Sequence, residues 1–272
     1  MKTFVDIDKD HGIDIHDSSG VLLVGLPGSG KTVFMTYLLL KLMCLGALVF
    51  IIDNKRSDLS GWKNYLHFGQ KRVAETPNQV CAILRNLTQI MNKRYETHNN
   101  IYGGDFVDYG LPPIVVAIDE YSSVILEAQG MKDGKISLQK KIEGYLKQLV
   151  LKGRQMGVFT ILGSQRLNYQ TIDLNVSSEF SYRVAMGNLD PVSMKLAFPG
   201  CSTDELPLIN SNLINGQKNY SGLIYSDRYN TPVPQTFQMP DMTDVIHEIP
   251  SIARDLDHNI FEKGFAESYL HF

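Results

Sequence analysis

The chain has 272 residues, 43% of them hydrophobic, with 26 basic against 29 acidic side chains and a net charge of −3. The apolar content excludes a disordered tail, and the charge balance excludes a globally basic nucleic-acid binder, so contact with a polyanion must come from local patches or from a ring that concentrates a few lysines per subunit. Cys44, Cys81 and Cys201 form no CxxC or Cys/His cluster, which leaves no zinc site or disulfide framework and reads as three small core hydrophobes in a reducing compartment.

The opening Met1-Lys2-Thr3-Phe4-Val5-Asp6 has early acids and no apolar h-region, so no signal peptide is expected. The first strand signal is Val21–Val24. It runs into Gly25-Leu26-Pro27-Gly28-Ser29-Gly30-Lys31-Thr32, which spells G-x-x-x-x-G-K-[ST], and a helix-like run begins at Val33. Strand, glycine loop and helix in that order are the context a phosphate-binding loop needs. The glycines let the backbone curl so that several N–H groups face one anion, and the new helix adds its positive end. The expected nucleotide-binding set is therefore Gly25 through Val33. Lys31 is assigned to the β- and γ-phosphates, and the Thr32 hydroxyl to Mg²⁺.

The apolar stretch Val33–Ile52 is interrupted by Lys41 and Gly46. It reads as a helix over Thr32–Leu45, a turn at Gly46 and a buried inner strand over Ala47–Ile52, with a second strand core at Leu48–Ile52, rather than as a membrane span. After Thr76-Pro77, apolar residues fall at Val80, Ile83, Leu84, Leu87, Met91 and Tyr95, one stripe of a 3.6-residue period. Thr76 with Gln79 makes a capping-box start, and Pro77 suits the first turn. His98–Gly110 is polar and glycine-containing, hence a surface loop.

Ile114–Ile118 is a buried strand that ends in Asp119-Glu120. Downstream of a phosphate loop, Asp119 is placed to hold Mg²⁺ through its water shell, as a Walker-B acid does, while Glu120 orients and deprotonates the attacking water. A glycine-rich surface loop, Gln129–Lys135, comes next. A second helical stripe, Ile142, Tyr145, Leu146 and Leu149, ends near Gly153. The strand Phe159–Gly163 terminates in Ser164-Gln165-Arg166, where Gln165 can sense the γ-phosphate. Strand signals at Tyr182–Met186 and Leu223–Tyr225 follow, then a charged, helix-capable tail. Strands alternating with helices argue for a mostly parallel α/β sheet. We expect one ATPase domain over 1–240 and a helical tail over 241–272. The three motifs fit a RecA-like P-loop NTPase with helices on both faces, in which the polar-tipped strand lies between the Walker-A and Walker-B strands. Lys31, Glu120 and Gln165 would then converge on one γ-phosphate.

With those residues on the page, the chain resembles the motor domain of the FtsK/SpoIIIE DNA translocases, within the FtsK–HerA group. Asp6-Ile7-Asp8 through Leu22-Leu23-Val24 is similar to the family's lead-in. Ile52-Asp53-Asn54-Lys55 is similar to its D-P-K, with Asn54 in place of proline. Met91–Tyr95 resembles M-x-x-R-Y, Lys152–Gly157 resembles K-G-R-x-x-G, Ser164-Gln165-Arg166 resembles T-Q-R with Leu167 where proline is expected, and Ser181–Val184 resembles T-R-I. The order runs from about residue 5 to about residue 235. The resemblance implies a hexameric ring, ATP and Mg²⁺ at subunit interfaces, and double-stranded DNA in the pore. An arginine from the neighbouring subunit would stabilise the transferred phosphoryl group, with Arg154, Arg183 and Arg166 as candidates in that order. DNA would meet the loop Gln129–Lys135 (Lys132 and Lys135, with Lys140 and Lys141 beside them) and the segment Arg166–Thr171, through backbone phosphates. Members commonly carry N-terminal membrane segments and a C-terminal winged helix. This chain has neither signal, so a short mobile-element, plasmid or phage relative is expected. Its expected location is cytoplasmic, peripheral at the membrane only through a membrane-bound or DNA-processing partner. Two alternatives stay open: an ATP-binding assembly or recruitment protein without motor activity, and a protein-secretion ATPase of the same superfamily.

Overall fold

The computed structural model describes residues 1–262 apart from 99, 169–171, 202–205, 208, 210–212, 215–216, 219, 230 and 232. The chain opens with an antiparallel hairpin, β1 (Phe4–Asp6) and β2 (Gly12–Asp14), too short to leave an apolar pattern. β3 (Gly20–Gly25) leads through the phosphate loop into α1 (Lys31–Cys44), and β4 (Leu48–Ile52) follows. A 3-10 segment, Asp58–Asn64, then α2 (Gly69–Arg72) and β5 (Val73–Ala74), precede α3 (Pro77–Thr97). Next come β6 (Ile114–Ile118), α4 (Tyr121–Ala128), the hairpin β7 (Lys132–Asp133) and β8 (Ile136–Ser137), and α5 (Leu138–Lys152). A 3-10 turn, Arg154–Met156, enters β9 (Val158–Ser164), followed by α6 (Leu174–Ser178), β10 (Tyr182–Met186) and α7 (Pro191–Ala197). The paired β11 (Leu213–Ile214) and β12 (Gln217–Lys218), then β13 (Ser221–Ser226), β14 (Gln235–Gln238) and α8 (Ile249–Glu262) complete the described chain.

Eight strands form one sheet in the order β14-β13-β10-β3-β9-β6-β4-β5. It is parallel from β10 through β5 and antiparallel where β13 and β14 extend it. Every residue of β3, β4, β6, β9 and β10 is buried. Continuous apolar strands of this kind are what a parallel sheet covered on both faces requires. The two faces can be told apart on β9. A Cβ at Gly163 would meet Met35 Cε of α1 at 2.9 Å, while Ser164 lies 3.0 Å from the Ser122 hydroxyl of α4. Successive side chains of a strand point to opposite faces, so α1 and α4 cover opposite sides. The polar-tipped strand β9 sits between β3 and β6, as the sequence predicts.

The helix stripes are buried as expected. Val80, Ile83, Leu84, Leu87 and Met91 of α3 face inward, and so do Ile142, Leu146 and Leu149 of α5. The start of α3 is a capping box. Thr76 Oγ1 accepts from Gln79 N at 3.4 Å, and Gln79 Oε1 reaches back to the Thr76 hydroxyl at 3.0 Å and to the N–H of Glu75, one residue before the cap, at 2.9 Å, a variant of the device that contributes about 1 kcal/mol. Val33–Ile52 resolves into α1, a turn with Gly46 at φ 85°, and β4. Among the described residues no helix is long and apolar enough to cross a membrane.

Three expectations need correction. Gln129–Lys135 is not an open loop: Lys132–Asp133 pairs with Ile136–Ser137, turning at Gly134 (φ 65°). The segment His98–Gly110 is not purely superficial, because Phe106 is fully buried and its N–H donates to Gln155 O at 2.8 Å. Of the three cysteines only Cys81 is in the core. Cys44 at the end of α1 is exposed and Cys201 is half-buried.

Within the stretch 241–272, residues 263–272 lie outside the described chain, and α8 lies against α1. Its Asp257 is fully buried and accepts from Arg72 NH1 at 2.7 Å and from His67 N at 2.6 Å. Arg72 also donates to Val49 O at 2.9 Å, and Phe261 of α8 faces its guanidinium at 5.6 Å.

Candidate nucleotide site

The loop between β3 and α1 is closed by Ser29 N donating to Leu26 O at 3.0 Å. Gly28 and Gly30 take φ 77° and 94°, the left-handed region that glycine enters freely. Gly30 is the N-cap of α1 and supplies no side chain, so the N–H groups of Lys31, Thr32 and Val33 have neither a helical partner nor a cap. The first helical bond is Phe34 N to Gly30 O at 2.8 Å. A cavity of about 170 Å³ lies over this turn, walled by every residue of Gly25–Val33 except Ser29, and by Asp119, Gln165 and Tyr220. Inside the turn, Ser29 Oγ is buried with no hydrogen-bond partner.

Two ladders bring the other motifs to this edge. Val24 of β3 registers with Ser164 of β9, and Leu162 of β9 with Ile118 of β6. Asp119 and Gln165 therefore emerge beside the loop. Gly163 makes this possible, since a Cβ there would lie 2.4 Å from Asp119 O and 2.6 Å from Ile118 O. Lys31 Nζ donates to Asp119 Oδ1 at 2.7 Å and also to the Asp119 carbonyl. Thr32 Oγ1 donates to the same Asp119 Oδ1 at 3.2 Å.

Glu120 stands one step back. It is buried and does not wall the cavity. Its Oε2 accepts from Gln165 N at 3.0 Å and from Lys55 Nζ at 3.2 Å, and its Oε1 from Ser164 Oγ at 3.1 Å. Lys31 and Gln165 thus both wall the cavity. Glu120 is instead turned to the nearest donors, because a buried carboxylate cannot be left unpaired. Lys55 was not assigned a role from sequence; its signal is a lysine placed just past the end of a buried inner strand. Neighbouring Asn54 ties β4 to α4, donating to Ser123 Oγ at 2.8 Å and Glu127 Oε1 at 3.0 Å. Asp53, fully buried, leaves Oδ1 without a partner while Oδ2 accepts from Ser57 Oγ and Ser60 N. Burial pushes its carboxyl above the usual range, Ser57 and Ser60 oppose that, and the Asp119 charge adds to it.

These groups fit a nucleoside triphosphate with Mg²⁺. Uncapped N–H donors, two left-handed glycines and a lysine suit phosphate oxygens. Thr32 and Asp119, within hydrogen-bond distance of each other, are the oxygen donors a hard cation takes when it arrives with phosphates. Among the described residues no group of three or more acidic, His or Cys side chains could hold a metal alone.

The cationic candidates separate. Arg183 is buried in its own subunit, donating to Ala197 O at 3.0 Å and to Ser177 O. It is excluded as a residue offered to a neighbour. An alternating strand pattern cannot distinguish an arginine that feeds backbone carbonyls from one that faces solvent. Arg154 is exposed on the turn before β9, at the end of that strand away from the cradle. Since β9 has 7 residues, it stands about 20 Å from its own site. Arg166 is exposed on the cradle edge, and its carbonyl accepts from Ser164 Oγ at 2.7 Å. Lys132, Lys135 and Lys140 are exposed, whereas Lys141 is taken up by Asp133 at 2.6 Å. Of the segment Arg166–Thr171, residues 169–171 lie outside the described chain.

Tyr220 was missed altogether. Its ring lies over Gly30, where a Cβ would come within 2.4 Å of it. It stands 190 positions away in sequence, and no local pattern marks it.

Residues 2–102 match the family model described as the FtsK/SpoIIIE family. That span contains the phosphate loop but not Asp119, Glu120 or Gln165. The Ftsk domain-containing protein YdcQ of Bacillus subtilis is 30% identical over 182 residues, covering 65% of this chain and 36% of that protein. The DNA translocase FtsK of Clostridium acetobutylicum is 25% identical over 191 residues, covering 63% of this chain and 24% of that one. The chain thus spans little more than a third, or less, of these relatives. Among solved structures, the pCW3 conjugation coupling protein TcpA, in a monomer form with ATPγS, superposes with a TM-score of 0.73 at 20% identity, over 94% of this chain and 71% of that one. The cytoplasmic domain of the Type VII secretion ATPase EccC of Thermomonospora curvata gives 0.63 at 16% identity, over 94% and 31%. At those identities the likeness is one of fold.

Proposed function

We propose that the chain carries an FtsK/SpoIIIE-type motor domain, and that it hydrolyses ATP and couples hydrolysis to movement along double-stranded DNA as a ring, with a hexamer as the expected size. The observation that carries this reading is the Lys31–Asp119–Thr32 cluster, 2.7 and 3.2 Å on its two contacts, at the mouth of the uncapped α1 terminus. On nucleotide entry Lys31 exchanges Asp119 for the β- and γ-phosphate oxygens, which frees the carboxylate. Thr32 and Asp119 are the residues that would hold Mg²⁺, which neutralises charge on those oxygens. The N–H groups of Lys31–Val33 bind the anion without reorganising. Glu120 then leaves Lys55 and the Gln165 N–H to orient a water and take its proton. Contacts of this kind are often misaligned before substrate binds. Gln165, which walls the cavity, would then face the γ-phosphate.

The exposed Arg154, too far from its own site, is our candidate for a group presented to the next subunit, with Arg166 as second choice. Such a residue contributes about 10³–10⁵ in rate. Lys132, Lys135 and Arg166 are the proposed DNA contacts, made to the backbone so that movement is not tied to sequence. We place the protein in the cytoplasm, reaching the membrane only through a partner.

A second reading, ATP as an assembly switch without turnover, is favoured by one observation: Glu120 is withdrawn from the cavity and held by Lys55 and the Gln165 N–H. ATPase assays with and without linear duplex, together with mass measurement, separate the two. A motor turns over faster with DNA, and Glu120→Gln lowers its kcat by about 10²–10⁴ while nucleotide affinity stays. A switch assembles on ATP with no turnover in either protein. DNA affinity that falls steeply with salt separates a DNA cargo from a protein one.

A further inference from the structure

A second cavity, about 280 Å³, adjoins the phosphate cradle and shares two of its walls. Thr32 and Val33 line both cavities, and Thr36 continues the wall one turn further along α1. The facing wall is Asp58 and Trp62 of the 3-10 segment, with Tyr65 directly after it. The third is Ile246, just before α8, with Ile249 and Pro250 of its first turn.

The order of chemistry along this path matches the order of parts in a nucleotide. A nucleotide held by its terminal phosphates at Lys31 must run past the first turn of α1 before its sugar and base find room. The space it meets there has the rim of the buried Trp62 indole and the half-buried Tyr65 phenol on one side and aliphatic groups on the other. A flat heteroaromatic ring stacks on such surfaces whatever its sequence of ring atoms. Asp58 is the one charged group in the lining, and as a carboxylate it offers only acceptors, which a base amine or a ribose hydroxyl can fill. The third wall is held in place: α8 lies on α1, and its buried Asp257 is clamped by Arg72 at 2.7 Å.

We propose that this cavity seats the base of the bound nucleotide, with Trp62 and Tyr65 as one face and the C-terminal segment around Ile246 and Ile249 as the other. The proposal rests on the nucleotide reading of the cradle. It gives the stretch after residue 240 a share in ligand binding, a role the phosphate motif does not touch.

Trp62 is the only tryptophan in the chain, so indole emission reports on this cavity alone. The full chain, with magnesium present, is titrated with ATPγS and separately with inorganic tripolyphosphate, following both calorimetric binding and emission. We expect both ligands to bind, but only ATPγS to change Trp62 emission. Ile249→Asp, and independently the more exposed Ile246→Asp, should weaken ATPγS binding tenfold or more and leave tripolyphosphate affinity within twofold, which also certifies that the variants are folded. ATPγS binding with unchanged emission, and with affinity untouched by both substitutions, overturns the base site while sparing the cradle. If neither ligand binds the unsubstituted chain, the cradle reading fails and this one with it.

Discussion

Lys31–Asp119 and Arg72–Asp257 are both buried ion pairs closed at 2.7 Å, yet their surroundings differ. Arg72 and Asp257 are wholly buried, and each has further protein partners: Val49 O and His67 O for the guanidinium, the His67 N–H for the carboxylate. Burial draws the Arg72 guanidinium below its ordinary range, and the Asp257 charge opposes that shift. Lys31 and Asp119 both face a cavity, and the lysine is a point charge on a flexible stem with donors to spare. The first pair has no alternative partner and serves as an anchor. The second is poised to exchange its acceptor for a phosphate. Equal distance and comparable burial do not make two ion pairs equivalent; access to a competing ligand decides which is structural.

The contrast can be broken most forcefully at the anchor. Asp257→Ala leaves a buried guanidinium uncompensated and should destabilise the fold by about 3–5 kcal/mol, read as a lower urea midpoint. The double variant Arg72→Met with Asp257→Leu should recover most of that loss, since apolar groups of similar volume replace such pairs at little cost. A small effect of the single change would mean the pair is not an anchor. Lys31→Ala sharpens the other side. Turnover should fall by about 10²–10³, the loss typical of one preorganised electrostatic group. The melting temperature should move far less than for Asp257→Ala, because Asp119 keeps Thr32 and can be reached by water. Comparable melting losses in the two variants would erase the distinction.

The smallest effect concerns Asp53. Its folded-state pKa lies above the unfolded 3.8, so in the window just above that value the folded protein binds more protons, and stability falls as pH rises through it. Asp53→Asn should remove this fall, giving a higher urea midpoint than the parent at pH 7 and no advantage below the unfolded pKa. A parallel pH profile for the two proteins would contradict the assignment.

Much of this was legible in the sequence, and the reasons are physical. The phosphate loop is read from backbone demands that only glycines meet, and the parallel core from strands buried on both faces. The place of β9 between β3 and β6 is expected only through the RecA-like sheet that the three motifs together fit. What could not be read depends on pairings across long sequence distances. Arg183 sits in a strand like many others, and only the fold reveals that Ala197 O and Ser177 O take its donors. Tyr220 reaches Gly30, Lys55 reaches Glu120, and Asp257 reaches Arg72 through the topology alone. The withdrawn posture of Glu120 was equally invisible, because composition gives the acid but not its neighbours.

Gly163 leaves β9 and β6 in main-chain contact, with Met35 of α1 closing over both. The spacing between the Gln165-bearing tip of β9 and the acid-bearing tip of β6 is therefore set by main-chain contact and ladder bonds instead of by side-chain fit. A one-residue slip of either strand would exchange the side chains that meet α1 for those that meet α4.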